Sequence, residues 1–186
     1  NRGIDQSTAA RWQERFRWES CMYLTTREDY TIGGLGTEVE IDETCIVRNK
    51  YNDGRILKYQ QWIFGGDKKG NSLNHFIVLV PNRARATLIN IIKERIRAGS
   101  IIISDGWGAY RNLEAHCLGY NYTHLVVNHN ENFVDPITGA STQSIEALWS
   151  VYKRKLRKIG TNHEKIWNLM AKFTEITMKA KYKHEF

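Results

Sequence analysis

Residues 38–47 alternate, with Val39 and Ile41 set between Glu38, Glu40 and Asp42, and their β-branched content predicts a strand. In that strand Glu40, Asp42 and Thr44 share one face, while Val39, Ile41 and Glu43 share the other. AsnAspGly at 52–54 is a turn signal, so the apolar runs at 59–65 and 73–80 read as two further strands of an antiparallel meander. From 83 to 98 the period changes: Leu88, Ile91, Ile92 and Ile96 recur at helical spacing, and Gly99 is placed to end the helix. SerIleIleIleSer at 100–104 has no alternation, which suits a strand buried on both faces. A short helix at 107–115 and a strand at 122–127 follow, and then a loop over 128–141 that holds Asn128, His129, Asp135, Pro136 and Gly139. The helix predicted for 142–159 lines up Ile145, Leu148, Trp149, Tyr152, Leu156 and Ile159 on one broad stripe. Helices are also predicted at 6–24, with Asp5 or Ser7 as N-cap, and at 163–181.

A chain of 186 residues can bury a core without staples. Cys21, Cys45 and Cys117 are scattered with no CxxC pair, which argues against a disulfide framework or a zinc ribbon and for a reducing compartment. The longest apolar runs are far too short to cross a bilayer, and the first residues lack the layout of a signal peptide, so no membrane association is expected. The first residue is Asn, and the chain is expected to be a fragment or processed form.

Charge is distributed unevenly. Residues 1–146 hold 17 Lys or Arg and 17 Asp or Glu, whereas residues 147–186 hold ten against three, so the net +7 lies entirely after Glu146. A basic segment of this kind fits a polyanion such as nucleic acid, since Lys and Arg neutralise phosphates and release counterions. LysArgLysLeuArgLys at 153–158 also fits a nuclear localisation patch.

Three carboxylates stand where regular elements would hold them: Asp42 in the alternating strand, Asp105 at the carboxyl end of the buried run, and Glu146 in the first turn of the late helix. Open α/β sheets commonly place their sites at the carboxyl ends of such strands. Carboxylate oxygens suit Mg²⁺ and Mn²⁺. Two such ions can clamp the attacking and leaving oxygens of a phosphodiester. Glu43 sits beside Asp42 and is an equally available acid, although alternation sends the two to opposite faces. Glu146, Ser150, Lys153 and Arg157 fall near one line of the late helix, pairing a carboxylate with phosphate-binding groups. Trp107 and Trp149 are expected to lie in the core.

The element order, β-β-β-α-β-α-β-α, looks like the ribonuclease H-like fold: a mixed five-stranded sheet, three antiparallel strands then two parallel, flanked by helices. The motifs are closer than a fold. IleGlyGlyLeuGlyThrGluValGluIleAspGlu (32–43), LysTyrAsnAspGlyArg (50–55), TrpIlePheGlyGly (62–66), SerAspGlyTrpGlyAlaTyr (104–110), GlyTyr (119–120), ValAsnHis (127–129), PheValAspPro (133–136), ThrGly (138–139) and SerIleGluAlaLeuTrp (144–149) with Lys153 occur in order. The ordered set resembles the Merlin superfamily of DNA transposases and their bacterial insertion-sequence relatives. Where those relatives carry a His-Thr-Asn or His-Thr-Gln step before the last acid, this chain has Ser141, Thr142 and Gln143.

The resemblance implies an Asp-Asp-Glu triad on Asp42, Asp105 and Glu146, selecting Asp42 over Glu43, with two Mg²⁺ or Mn²⁺ ions. It implies cut-and-paste transposition: hydrolysis at the element's ends, then attack of the freed 3′-hydroxyl on target DNA. The partners are then transposon terminal repeats, target DNA and further copies of the chain, as a homodimer or higher assembly. Expected DNA contacts are Lys50, Arg55, His129, Lys153, Arg154, Arg157 and Lys158. Residues 1–30 resemble the end of a helix-turn-helix cut off before its first helix, with a linker, and 31–186 the catalytic domain. The expected location is the nucleus in a eukaryote, or the cytoplasm and nucleoid in a bacterium. Two other readings fit the same residues: a ribonuclease H-like nuclease without strand transfer, and a domesticated transposase that binds DNA without catalysis.

Overall fold

The computed structural model describes residues 5–9, 11, 12, 15, 31–47, 60–70, 74–128, 134–136, 138–159 and 166. Its frame is a five-stranded mixed sheet built around β2 (Glu38–Val47). On one side β2 pairs antiparallel with β3 (Gln61–Lys68), which pairs antiparallel with β4 (His75–Val80). On the other side it pairs parallel with β6 (Ile101–Asp105), and β6 pairs parallel with β7 (Thr123–Val127). The spatial order is therefore β4-β3-β2-β6-β7, three antiparallel strands followed by two parallel ones, as the sequence predicts. The turn expected at 52–54 lies outside the described residues.

Three departures from the sequence reading have local causes. Helix α1 (Arg85–Arg95) stops before Gly99 because Ile96–Arg97 forms a short strand, β5, parallel to β1 (Ile32–Gly33). The helix expected at 107–115 is split into a 3-10 turn, Gly108–Tyr110, and a four-residue helix α2 (Leu113–His116), because Asn112 between them adopts a left-handed backbone with φ 57°. Within the loop expected at 128–141, Val134 and Ser141 form an antiparallel bridge.

Helix α3 (Gln143–Ile159) forms with nearly the predicted bounds. At the N-terminus residues 6–9, 11, 12 and 15 are helical, and the Ala9 amide donates to the Asp5 carbonyl, which places the cap on Asp5. The rest of the expected helix-turn-helix remnant lies outside the described residues. So does the helix expected at 163–181, apart from Ile166, which is helical and buried.

Helices cover both faces of the sheet. On one side α1 lays Leu88, Ile89 and Ile92 against Val39, Ile41, Phe64, Phe76 and Ile102. On the other, α3 lays Ile145, Trp149, Tyr152 and Leu156 against Ile63 and Ile77, with Ile166 completing the cluster. Gly65 and Gly66 serve one face each. A Cβ on Gly66 would sit 2.5 Å from the Phe76 ring, and one on Gly65 would sit 2.6 Å from the Trp149 ring. The pair leaves room for an aromatic ring against β3 on either side.

Candidate active site

Strand parity brings the first two acids together. In the parallel β2–β6 pair Glu40 is level with Ile103, and two residues further along each strand come Asp42 and Asp105, on the face that α3 covers. Glu146 arrives from the first turn of α3, where the Glu146 amide donates to the Thr142 carbonyl and the Thr142 hydroxyl donates to Glu146 Oε1 at 3.1 Å. Thr142 thus steadies the acid from the start of the helix. Glu146 is exposed, and Asp42 and Asp105 are half-buried, so the cluster opens to solvent.

Burial pushes the Asp42 carboxyl up to about 6, and the neighbouring charges of Asp105 and Glu146 add to the shift. The Trp149 indole N–H, which donates to Asp42 Oδ2 at 2.8 Å, and the Glu43 amide pull the other way. The structure therefore brings Asp105 and Glu146 within electrostatic reach of Asp42. Among the described residues no three His, Cys, Asp or Glu side chains stand close enough together to hold a metal ion. The chemistry of the donors suits a divalent cation all the same: they are carboxylate oxygens from three separate elements, and ionisation of Asp42 is disfavoured chiefly by burial and further by Asp105 and Glu146.

Glu43 goes to the other face, as alternation requires. The Tyr110 hydroxyl donates to its Oε2 at 2.7 Å, and burial, with lesser contributions from Asp42 and Asp105, raises its carboxyl to about 7. Asp105 Oδ1 accepts the Trp107 amide at 3.0 Å, which ties the acid to the turn that follows β6. Trp107 is not in the core: it is 42% exposed, and the Arg83 guanidinium packs 4.0 Å from the Trp62 ring and 4.4 Å from the Trp107 ring.

Two contacts were not anticipated from sequence. Glu40 is fully buried, and its Oε2 accepts the Ile145 amide at 3.0 Å, binding the start of α3 to β2. Trp149 does lie in the core, at 4% exposure, but its indole edge reaches Asp42. The parity signal that put Glu40 on Asp42's face was present; nothing local marked either partner.

Of the expected DNA contacts, Arg154 and Arg157 are exposed on α3 and Lys153 is half-buried, continuing the exposed line of Glu146 and Ser150. Lys50, Arg55 and His129 lie outside the described residues, as does the side chain of Lys158.

Comparison with known proteins shows the family of the chain. Residues 34–166 match the model of the ISXO2-like transposase domain. An uncharacterized transposase-like protein of Haemophilus influenzae is 30% identical over 83 residues, which is 45% of this chain and 63% of that protein. The chain thus spans less than two thirds of the curated relative it matches. Among solved structures, a simian T-cell lymphotropic virus intasome in complex with a PP2A regulatory subunit aligns with a TM-score of 0.45 and 13% identity, over 76% of this chain and 50% of that one. A pre-cleavage Mos1 transpososome aligns at 0.31 and 12%, over 93% and 62%. With its family match running from the loop before β2 to beyond α3, the chain belongs to the ISXO2-like transposase domain family.

Proposed function

We propose that the chain is the catalytic domain of a cut-and-paste DNA transposase, of Merlin type in its motifs and ribonuclease H-like in its strand order, with Asp42, Asp105 and Glu146 as its acid triad. The observation that supports the reading is that those acids come from β2, β6 and α3, where Asp105 and Glu146 both bear electrostatically on Asp42. Two Mg²⁺ or Mn²⁺ ions held there would activate water, and later a 3′-hydroxyl, and stabilise the leaving oxygen.

The chain's own residues supply placement and charge. Asp42 and Asp105 are fixed by strands and Glu146 by the first turn of α3 and its bond to the Thr142 hydroxyl, which limits their rearrangement during reaction. Lys153, Arg154 and Arg157 on α3 neutralise the phosphates flanking the scissile bond. No side chain is required as a covalent nucleophile. The partners are the element's terminal repeats and target DNA, with a second copy of the chain for paired ends.

The test is a labelled duplex carrying the element's terminal repeat, incubated with Mg²⁺ and a target plasmid. The unaltered protein should nick the repeat and join its 3′-end to the plasmid. Asp105→Asn should bind the duplex and do neither, and full cleavage by that variant would overturn the assignment. Cleavage by the unaltered protein without joining would indicate a nuclease.

A further inference from the structure

We propose that Glu40, Gly65 and Trp149 are positioning residues that set the placement of Glu146 against Asp42, and through it the affinity of the acid cluster for a divalent ion. The proposal rests on the function proposed above.

Helix α3 is joined to β2 by two directional contacts. The Ile145 amide donates to Glu40 Oε2 at 3.0 Å, and the Trp149 indole N–H donates to Asp42 Oδ2 at 2.8 Å. Residues 145 and 149 are four apart on a helix, a rise of about 6 Å. Glu40 and Asp42 are two apart on a strand, a rise of about 6.6 Å. The two intervals match, so both contacts form with the helix running alongside the strand. Glu146 lies between them, next to the first.

Gly65 makes the second contact sterically possible. It is the cross-strand partner of Asp42, and a Cβ there would meet Trp149 Cη2 at 2.6 Å and the Phe76 carbonyl oxygen at 2.9 Å. The indole therefore lies over the strand at the one place where no side chain stands, with its N–H edge turned back to the acid.

Glu40 is a poor choice for stability alone. It is fully buried, and although Ser144 bears on its carboxylate beside the Ile145 amide, its Oε1 is left without a hydrogen-bond partner. A buried carboxylate in that state is disfavoured against an apolar side chain of similar size. What Glu40 contributes and an apolar residue lacks is a fixed acceptor for the α3 amide.

Partners that orient metal-binding carboxylates typically change metal affinity or activity by about 10–100-fold when removed. The test measures Mn²⁺ binding to the DNA-free protein by electron paramagnetic resonance, together with the Mg²⁺ concentration for half-maximal cleavage, KM for the terminal-repeat duplex, and Tm. Trp149→Phe keeps most of the ring volume and removes the donor. Gly65→Ala leaves Trp149 chemically intact and denies its ring its place. Both should weaken Mn²⁺ binding and raise the Mg²⁺ requirement by about tenfold or more, with KM unchanged. Glu40→Gln keeps an acceptor oxygen and should stay close to the unaltered protein, whereas Glu40→Leu should behave like Trp149→Phe.

A purely structural role would lower Tm without moving the Mg²⁺ requirement of the folded fraction, and that result overturns the proposal. Normal Mn²⁺ affinity in both Trp149→Phe and Gly65→Ala overturns it as well, while an inactive Asp42→Asn leaves the transposase reading standing. Full cleavage by Asp42→Asn brings down the transposase reading itself.

Discussion

The two helices that cover the sheet are attached by different means. Among the described residues helix α1 meets the sheet through apolar side chains, Leu88, Ile89 and Ile92 with Ile91 packed beside them, and just before its start Asn82 Oδ1 accepts the Ala84 amide and the Thr87 hydroxyl, both at 2.9 Å. Helix α3 buries an apolar stripe too, but its start is held by Glu40, a strand residue 105 positions away in sequence, and its second turn by Asp42. Apolar contact is non-directional and tolerates small slides. Hydrogen bonds to charged groups fix distance and angle. The α1 face thus supplies stability, and the α3 face trades some stability for position.

The sharpest way to break that comparison is to exchange the consequences. Asp42→Asn should reduce Mg²⁺-dependent cleavage on the order of 10³-fold, the scale of losing one preorganised electrostatic group. Its Tm at pH 8 without metal should not fall and is expected to rise, because the ionised carboxylate is disfavoured where it stands. Leu88→Ala, on the opposite face, should cost about 2–5 kcal/mol in denaturant unfolding. The Mg²⁺ requirement of its folded fraction should match that of the unaltered protein. A Leu88→Ala protein with a shifted Mg²⁺ requirement would show that the faces are not separable.

The same contrast separates what was legible in the sequence from what was not. Periodicity reports which side of an element is buried, so the β2 faces, the doubly covered β6 and the α3 stripe could be read directly, and the division of Asp42 from Glu43 followed. Periodicity does not report partners. That Glu40 would bind the Ile145 amide, and Trp149 the acid at Asp42, depends on how a helix and a strand distant in sequence are brought side by side. Short features escaped for another reason: β1 and β5 are two residues each, below the length at which any pattern exists, and the break at Asn112 rests on a single left-handed residue.

A smaller effect follows from the charges crowded around β2. The carboxyls of Asp42, Glu43 and Asp67 are raised to about 6, 7 and 7, in each case chiefly by burial, and Glu40 raises that of Asp67 further. A folded carboxyl above its unfolded value means that the native state binds the proton more tightly. The stability it contributes is present below the unfolded value, near 4, and is lost as pH rises through about 6 to 7. Metal-free protein should therefore gain on the order of a few degrees in Tm between pH 8 and pH 6. Millimolar Mg²⁺ should narrow the difference at pH 8. Asp42→Asn should narrow it too, whereas Leu88→Ala should leave the slope unchanged. A Tm that rises steadily from pH 6 to pH 8 without metal contradicts this account.

The smallest expected effect lies on the outer side of α3, where position gives way to net charge. Arg157 is exposed three turns beyond Glu146, on the line shared with Ser150 and Lys153, and among the described residues no contact dictates a direction for its guanidinium. It should act as a phosphate contact of the general electrostatic kind. Arg157→Ala should then weaken binding of any duplex about equally, lowering the slope of log affinity against log salt by about one. The Mg²⁺ requirement should not move, because the Glu40 and Trp149 contacts that hold the acid end of the helix are untouched. Fluorescence anisotropy across a salt series, with terminal-repeat and unrelated duplexes side by side, reads both quantities. A loss confined to the terminal repeat would instead make Arg157 a base-reading residue and extend the directional character of α3 to its outer face.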